Sequence, residues 1–131
     1  MAISFPANPD STTRASLDSP EGWLPYPLGA DIIEGEPDCT MKLLRTVGTV
    51  TPYKAVAFFT AQPSTFRWHF INDEAFVLLE GHIAITLENG ERTEMRAGDA
   101  VSFPGGHEGI CEVFLPTRKF TVVTNGRGQD L

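Results

Sequence analysis

The segment FRWHFINDEAFVLLEG, residues 66–81, holds two runs of strand-forming residues on either side of a turn. Residues 65–70 are rich in aromatic side chains, and residues 74–80 form a second apolar run that ends at Gly81. Aromatic and aliphatic residues of this kind favour strands. Asn72 and Asp73 between the runs favour a turn. The segment therefore predicts two consecutive strands joined by a tight turn, which is typical of an antiparallel sheet.

The same succession of short strands and turn residues extends outward on both sides of this segment. Further strands are predicted at residues 41–47, 55–61, 82–87, 91–95, 100–103, 110–115 and 118–124. Asn89 and Gly90 favour a type I′ hairpin, because both central residues of that turn need a positive φ. The sequence shows no helical period of apolar residues. Many short strands separated by glycine, proline and asparagine predict an all-β sandwich or barrel.

The first 38 residues differ in amino-acid composition from the rest of the chain. They contain six prolines, which make a long helix very unfavourable: Pro6, Pro9, Pro20, Pro25, Pro27 and Pro37. Their scattered apolar residues need a surface to pack on. We therefore expect residues 1–38 to form an arm that packs on the barrel or on a dimer partner, residues 39–124 to form the single barrel domain, and residues 125–131 to form a polar tail.

Length and charge exclude some classes of partner. The chain has 131 residues, with 10 lysines and arginines against 17 aspartates and glutamates, a formal net charge of -7. Nucleic acids and anionic membranes need clustered cations, so neither is expected as the main partner. No run approaches the roughly 20 apolar residues of a membrane-spanning helix. Two cysteines and no secretory signal predict a cytoplasmic protein.

Three segments resemble those of the cupins. Glu74 and Gly81, with their spacing, resemble the first cupin motif, and GDAVSFPGG at residues 98–106 resembles the second. EVFLPTRKF at residues 112–120 resembles the "EP-x-RK-x-Y" ending of the ureidoglycine-aminohydrolase-like cupins, a branch that includes the ethanolamine-utilisation cupins. The resemblance implies an RmlC-like jelly-roll, which is an antiparallel β-barrel with a small-molecule pocket. It also implies a homodimer.

The metal positions that this resemblance implies are only partly filled. A metal cupin has two histidines and a glutamate from the first motif and a third histidine from the second, and these positions here hold Arg67, His69, Glu74 and Gly109. Arginine stays charged and cannot be a metal ligand. We therefore favour no bound metal. Should a metal bind, its ligands would be His69 and Glu74, with His107 as an optional third, and Mn, Fe, Ni or Zn would suit these donors.

Arg67, His69 and Glu74 are the candidate catalytic residues, forming one polar cluster in the barrel. Arg67 would pair with Glu74 or hold a substrate carboxylate, since its guanidinium matches a carboxylate in shape. The alternative is a purely structural network of the same three residues. Small cupin interiors are apolar and aromatic, and on that basis the predicted pocket lining is Phe58, Trp68, Phe76, Phe103, His107, Cys111 and Phe120. Arg118 and Lys119 match the Arg-Lys pair in the ending of this cupin branch, but they are equally explained as surface residues at the rim of the barrel or at an interface.

These residues predict a small-molecule enzyme that works without redox chemistry. Glu74 or His69 would move a proton, and Arg67 would stabilise negative charge on a small organic acid or carbonyl compound. Isomerisation, dehydration, cyclisation and hydrolysis all fit this description. Two alternatives remain open: a non-catalytic cupin that binds or senses a metabolite, and a metal-dependent, ureidoglycine-aminohydrolase-like enzyme with a reduced ligand set.

Overall fold

The computed structural model describes residues 12–47 and 54–124, and these residues form nine strands and one turn of 3-10 helix at Gly29–Asp31. The strands are β1 (Trp23–Pro25), β2 (Ile32–Gly35), β3 (Thr40–Val47), β4 (Lys54–Ala61), β5 (Ser64–Phe70), β6 (Asp73–Leu87), β7 (Arg92–Arg96), β8 (Ala100–Phe103) and β9 (His107–Thr124). The predicted all-β architecture is confirmed. Within the described ranges there is no helix long and apolar enough to cross a membrane.

The long final strand β9 holds the sheet together. Its first half pairs with β5 and its second half with β4, and β6 runs antiparallel along almost its whole length. The strands follow the order β1-β3-β4-β9-β5-β2, while β7 and β8 pair with the two ends of β6. β9 therefore pairs with β6 along one edge and with β4 and β5 along the other, and the sheet curls round a shared interior.

Strand alternation decides which side chains enter this interior. In β4, Ala55, Ala57, Phe59 and Ala61 are buried, and the residues between them are partly exposed. The interior is packed with aromatic and aliphatic side chains, among which Phe70, Phe103, Leu78 and Met95 are the largest fully buried ones. Phe70 and Phe103 stack with their centroids 4.5 Å apart.

The structure differs from the sequence prediction at Gly81, where one strand continues through a predicted break. Residues 74–80 and 82–87 are parts of the single strand β6, just as residues 110–115 and 118–124 are parts of β9. Gly81 has a φ of +105°, and the register between β6 and β9 shifts around it. A glycine with positive φ inside a strand is typical of a β-bulge. The glycine therefore bends the strand without ending it.

The described part of the N-terminal segment lies along the sheet. β1 pairs with β3, and β2 pairs with β5. Lys42 is buried on β3, and its Nζ donates hydrogen bonds to the carbonyl oxygens of Ser16 at 2.6 Å and Ser19 at 2.7 Å. The same ammonium lies 4.8 Å from the ring centroid of Trp23. These contacts fix residues 16–25 against the barrel.

Candidate functional site

An apolar cavity lies inside the barrel between β4, β5, β6 and β9. Its wall consists of the side chains of Phe59, Ala61, Phe66, Trp68, Ile83, Ile85, Cys111, Val113, Thr117 and Lys119. The cavity measures about 20 Å³, which is room for about one water molecule. Lys119 is the charged residue of this wall. The site therefore combines an apolar surface with one ammonium group.

Glu74 accepts three hydrogen bonds from side chains next to this cavity. It lies on β6 opposite Phe103 of β8 and Val123 of β9 and is only 5% exposed. Its Oε2 accepts from Lys119 Nζ at 2.8 Å and from Thr121 Oγ1 at 3.1 Å. Its Oε1 accepts from Trp68 Nε1 at 3.1 Å. Both carboxylate oxygens are thus held in place, which allows the buried charge to persist.

Three aromatic rings surround the ammonium of Lys119. Its Nζ lies 4.2 Å from the ring centroid of Phe76, 5.1 Å from that of Phe59 and 5.3 Å from that of Trp68. Electron-rich ring faces attract a cation, so this aromatic cage of three rings and Glu74 together stabilise the ammonium at this position. Lys119 is 8% exposed. Glu74 and the rings thus hold a charged lysine at the cavity wall.

The pKa values of the neighbouring groups follow from this charge pair. Burial alone would raise the pKa of Glu74, but the Lys119 ammonium and the hydrogen bonds from Lys119, Trp68 and Thr121 hold that pKa below its ordinary value. Burial raises the pKa of both cysteine thiols, Cys39 and Cys111, to about 12. Neither thiol ionises near neutral pH, which makes both poor nucleophiles.

Tyr26 joins the N-terminal segment to the aromatic cage. Its ring lies 5.6 Å from that of Phe59 and 6.0 Å from that of Trp68. Burial, together with the negative charge of Glu74, raises the pKa of its phenol. The site is therefore covered on this side by a neutral hydroxyl-bearing ring.

The structure does not bring Arg67 and His69 to Glu74, which differs from the predicted cluster. Both side chains lie on the exposed face of β5, because they alternate with the inward-facing residues of that strand. His69 is hydrogen bonded to Asp31 through Nε2 at 3.2 Å and approaches Glu108 with Nδ1 at 3.2 Å. Trp68, between them in sequence, is the residue that reaches Glu74.

The predicted pocket residues are divided between the cavity and other places. Trp68 and Cys111 line the cavity, and Phe76 lies under Lys119. Phe58 and Phe120 contact each other, with centroids 5.6 Å apart, on the opposite face of β4 and β9.

The remaining two predicted lining residues lie in the core and near the surface. Phe103 belongs to the core, where it stacks on Phe70 and Phe76. His107 is hydrogen bonded to Glu88 at 2.9 Å. Neither side chain belongs to the cavity wall described above.

The residues at the four metal positions do not fit a metal centre. Arg67 and His69 face outward, and position 109 is a glycine. Glu74 faces inward, but the Lys119 ammonium already lies 2.8 Å from its Oε2. No group of three or more His, Cys, Asp or Glu suited to a metal ion exists among residues 12–47 and 54–124. A cation fixed on the one inward-facing carboxylate opposes the binding of a second cation there.

Sequence reasoning assigned Lys119 no place in the cavity and missed Thr117 and Thr121 beside it. All three share the parity of Cys111 along β9, and the burial pattern of that strand alternates in the same phase. Extending the alternation from Cys111, a predicted pocket residue, would have placed Lys119 inside and Phe120 outside. Three consecutive exposed residues interrupt the alternation between Val113 and Thr117, and this makes the pattern hard to recognise in the sequence: Phe114, Leu115 and Pro116.

A family model described as the EutQ-like cupin domain matches residues 53–120, just over half of the chain. No curated protein matches the chain. Among solved structures, the Clostridium difficile EutQ protein is 19% identical, with 72% of this chain and 76% of that chain covered and a TM-score of 0.53.

Two further structures show the same fold. A Salmonella typhimurium LT2 protein described as ethanolamine utilization protein Q is 24% identical over 68% of this chain and 71% of that chain, with a TM-score of 0.58. A DUF861 protein of unknown function from Pseudomonas syringae pv. tomato DC3000 is 24% identical over 78% of this chain and 44% of that chain, with a TM-score of 0.65. The predicted cupin jelly-roll barrel is confirmed.

Proposed function

This chain belongs to the family of EutQ-like cupin domains, and from that premise we propose that its barrel cavity binds a small organic acid or carbonyl compound and performs non-redox acid–base chemistry on it. The observation that carries the proposal is the Lys119 ammonium, which is buried and lines an otherwise apolar cavity. Apolar pockets with a few fixed polar groups are typical of small-molecule sites. The cavity holds about one water molecule, so binding requires the surrounding side chains to move apart.

Lys119 takes the role that the sequence assigned to Arg67. Its N–H groups polarise a carbonyl or stabilise negative charge that develops on the substrate, which is strongest in a site without water. Glu74 has a lowered pKa and is therefore a weak base. We assign it to orienting Lys119 through their 2.8 Å hydrogen bond. We assign to Lys119 the transfer of a proton to the substrate oxygen, and the proton returns to Lys119 as the product forms.

Ligand screening by thermal unfolding tests this proposal. Small acids, aldehydes, ketones and amides are added to the wild type, to Lys119→Met and to Lys54→Met. We expect a stabilising ligand of the wild type to lose its effect in Lys119→Met, because the cavity loses its charged group. Lys54→Met removes a lysine at an exposed site on β4 and should still respond. An equal response of Lys119→Met and wild type would refute the assigned role of Lys119.

A non-catalytic binding function is the second candidate, and the hydrogen bonding of Glu74 favours it. A carboxylate that accepts three hydrogen bonds and has a lowered pKa lacks the basicity of a general base near neutral pH. Incubating the wild type with each stabilising compound and following its NMR spectrum separates the two functions. Conversion that requires Lys119 indicates an enzyme, and unchanged bound compound indicates a binding protein.

We also propose that the chain forms a homodimer. β1 and β2 lie at the two ends of the strand order, and Leu24, Ile32 and Ile33 on them are 50%, 38% and 47% exposed. Exposed apolar edge strands favour pairing with another chain. A second copy with two-fold symmetry would cover such an edge.

A further inference from the structure

The two buried charges beside the cavity cancel each other. Glu74 and Lys119 form a salt bridge of 2.8 Å and are 5% and 8% exposed. The buried pair therefore carries no net charge. Any ionic group that a ligand brings into this cavity would be a third charge without a counter-ion.

The other titratable groups around the pair are neutral near neutral pH. They come from three separate parts of the chain: Tyr26 follows β1, Cys39 immediately precedes β3, and Cys111 lies in β9. Burial raises the pKa of each, to about 12 for both thiols. None of them supplies a positive charge that would balance an anion.

Lys119 nevertheless has hydrogen-bonding capacity left for a ligand. An ammonium carries three N–H donors, and over the described part of the chain Glu74 Oε2 alone accepts from it. The ammonium otherwise lies against the rings of Phe59, Trp68 and Phe76, and Lys119 lines the cavity. A buried donor without an acceptor is unfavourable, so an uncharged oxygen that reaches this point would be stabilised.

We infer that the ligand of this cavity is a neutral carbonyl compound, whose oxygen accepts a hydrogen bond from Lys119 Nζ, and not a carboxylate anion. This inference rests on the proposed function and narrows its substrate class. A carboxylate would have to lose its hydration shell without gaining a counter-ion, since Glu74 already neutralises Lys119. An organic acid would therefore bind only together with a proton.

Matched probes test this inference on the wild-type protein. Propionamide and propionate have the same carbon skeleton and differ in charge. Each is titrated into ¹⁵N-labelled protein at about pH 6 and about pH 8, on either side of neutrality. The readouts are the Nζ–H signal of Lys119 and the indole N–H signal of Trp68, with Trp23→Phe and Lys119→Met used for assignment.

We expect propionamide to bind with the same affinity at both pH values. Propionate should bind about a hundredfold more weakly at about pH 8 than at about pH 6, because one proton is taken up with it and the affinity changes about tenfold for each pH unit. Propionate binding as tightly as propionamide, without dependence on pH, would overturn the inference while leaving the proposed function intact. The absence of a response to either probe would overturn both. Lys54→Met, at an exposed site on β4, should behave as the wild type.

Discussion

Lys119 and Glu74 each make the burial of the other possible. Both are almost fully buried and their contact is direct. Desolvation of an ion is costly, and a salt bridge in the interior offsets that cost only while both partners are present. Neither residue can therefore be changed alone without leaving an uncompensated charge in the core.

Lys119→Met should lower the free energy of unfolding by about 3–5 kcal/mol, because it leaves Glu74 buried without a cation. The double variant Glu74→Gln/Lys119→Met should recover part of that loss, since it carries no buried charge. Urea unfolding of the wild type, both single variants and the double variant gives the coupling free energy. Strictly additive losses would show that the two side chains do not depend on each other.

The pair also predicts a dependence of stability on pH. Lys119 and its neighbouring hydrogen-bond donors overcome the effect of burial and hold the pKa of Glu74 below its ordinary value. The contribution of ionised Glu74 to the free energy of unfolding is complete above the pKa of about 4.3 that a glutamate has in the unfolded chain. It is lost as pH falls through the lower pKa of Glu74 in the folded protein. The difference in unfolding free energy between wild type and Glu74→Gln should therefore shrink below that pH. Denaturation across a pH series measures it, and a constant difference would contradict the explanation.

At the scale of the elements, Gly81 lets β6 pass close to Pro116 and Thr117 of β9. A Cβ at this position would overlap Thr117 Oγ1 and lie 2.8 Å from the carbonyl oxygen of Pro116. The φ of +105° adds strain for any other residue. Since Thr117 also lines the cavity, the shape of the cavity depends on this glycine.

Gly81→Ala and Gly98→Ala form a matched pair that separates overlap from backbone strain. Gly98 has a similar φ of +98°, and nothing lies within 4 Å of an added Cβ. Gly98→Ala should cost about 1–3 kcal/mol from strain, and Gly81→Ala should cost about 1–3 kcal/mol more from overlap with β9. Chemical denaturation measures both. Equal losses would show that β9 yields to the extra methyl group.

Lys42 fixes the N-terminal segment to β3 through two backbone carbonyls. Lys42→Met removes both hydrogen bonds and should loosen β1, so that the Tyr26 amide, bonded to the Cys39 carbonyl at 2.8 Å, exchanges at least about tenfold faster. Hydrogen exchange followed by NMR gives this rate. Lys54→Met, at an exposed site on β4, is the control. Unchanged exchange in Lys42→Met would mean that strand pairing alone retains the segment.

At the scale of the whole molecule, the proposed dimer predicts a mass in solution. Light scattering should give twice the 14.3 kDa of one chain, and Ile33→Asp on the exposed edge strand β2 should shift the mass toward that of one chain, because a charge opposes edge pairing. A wild-type mass of 14.3 kDa would refute the dimer.

The fold was predictable because the sequence marks its strands locally. Asn89-Gly90 and Gly98 punctuate the strands, and the two motifs around them identify the family. The continuity of β6 was not predictable in the same way. A glycine such as Gly81 occurs both at the end of a strand and at a bulge within one, so the local sequence does not distinguish the two. Pairing with β9, a long-range interaction, decides between the two.

The site was only partly predictable, because motif position does not determine the face of a strand. Glu74 and Trp68 were correctly predicted as site residues from their positions in and beside the first motif. Arg67 and His69 were assigned to the interior by the same motif, yet both lie on the exposed face of β5 because they alternate with Trp68. Lys119 comes from a strand distant in sequence, and only the alternation along β9 indicates its direction.

The position of β9 has a consequence for the chain during its synthesis. This strand follows β4, β5 and β6 in the chain and pairs with all three, so that none of them can complete its hydrogen bonds until residues 107–124 have left the ribosome. The earlier strands must wait with exposed edges while translation proceeds at about 5–20 residues per second. Ribosome stalling just before β9 would therefore leave a nascent chain that chaperones recognise, and release of the last strand would close the barrel in one cooperative step.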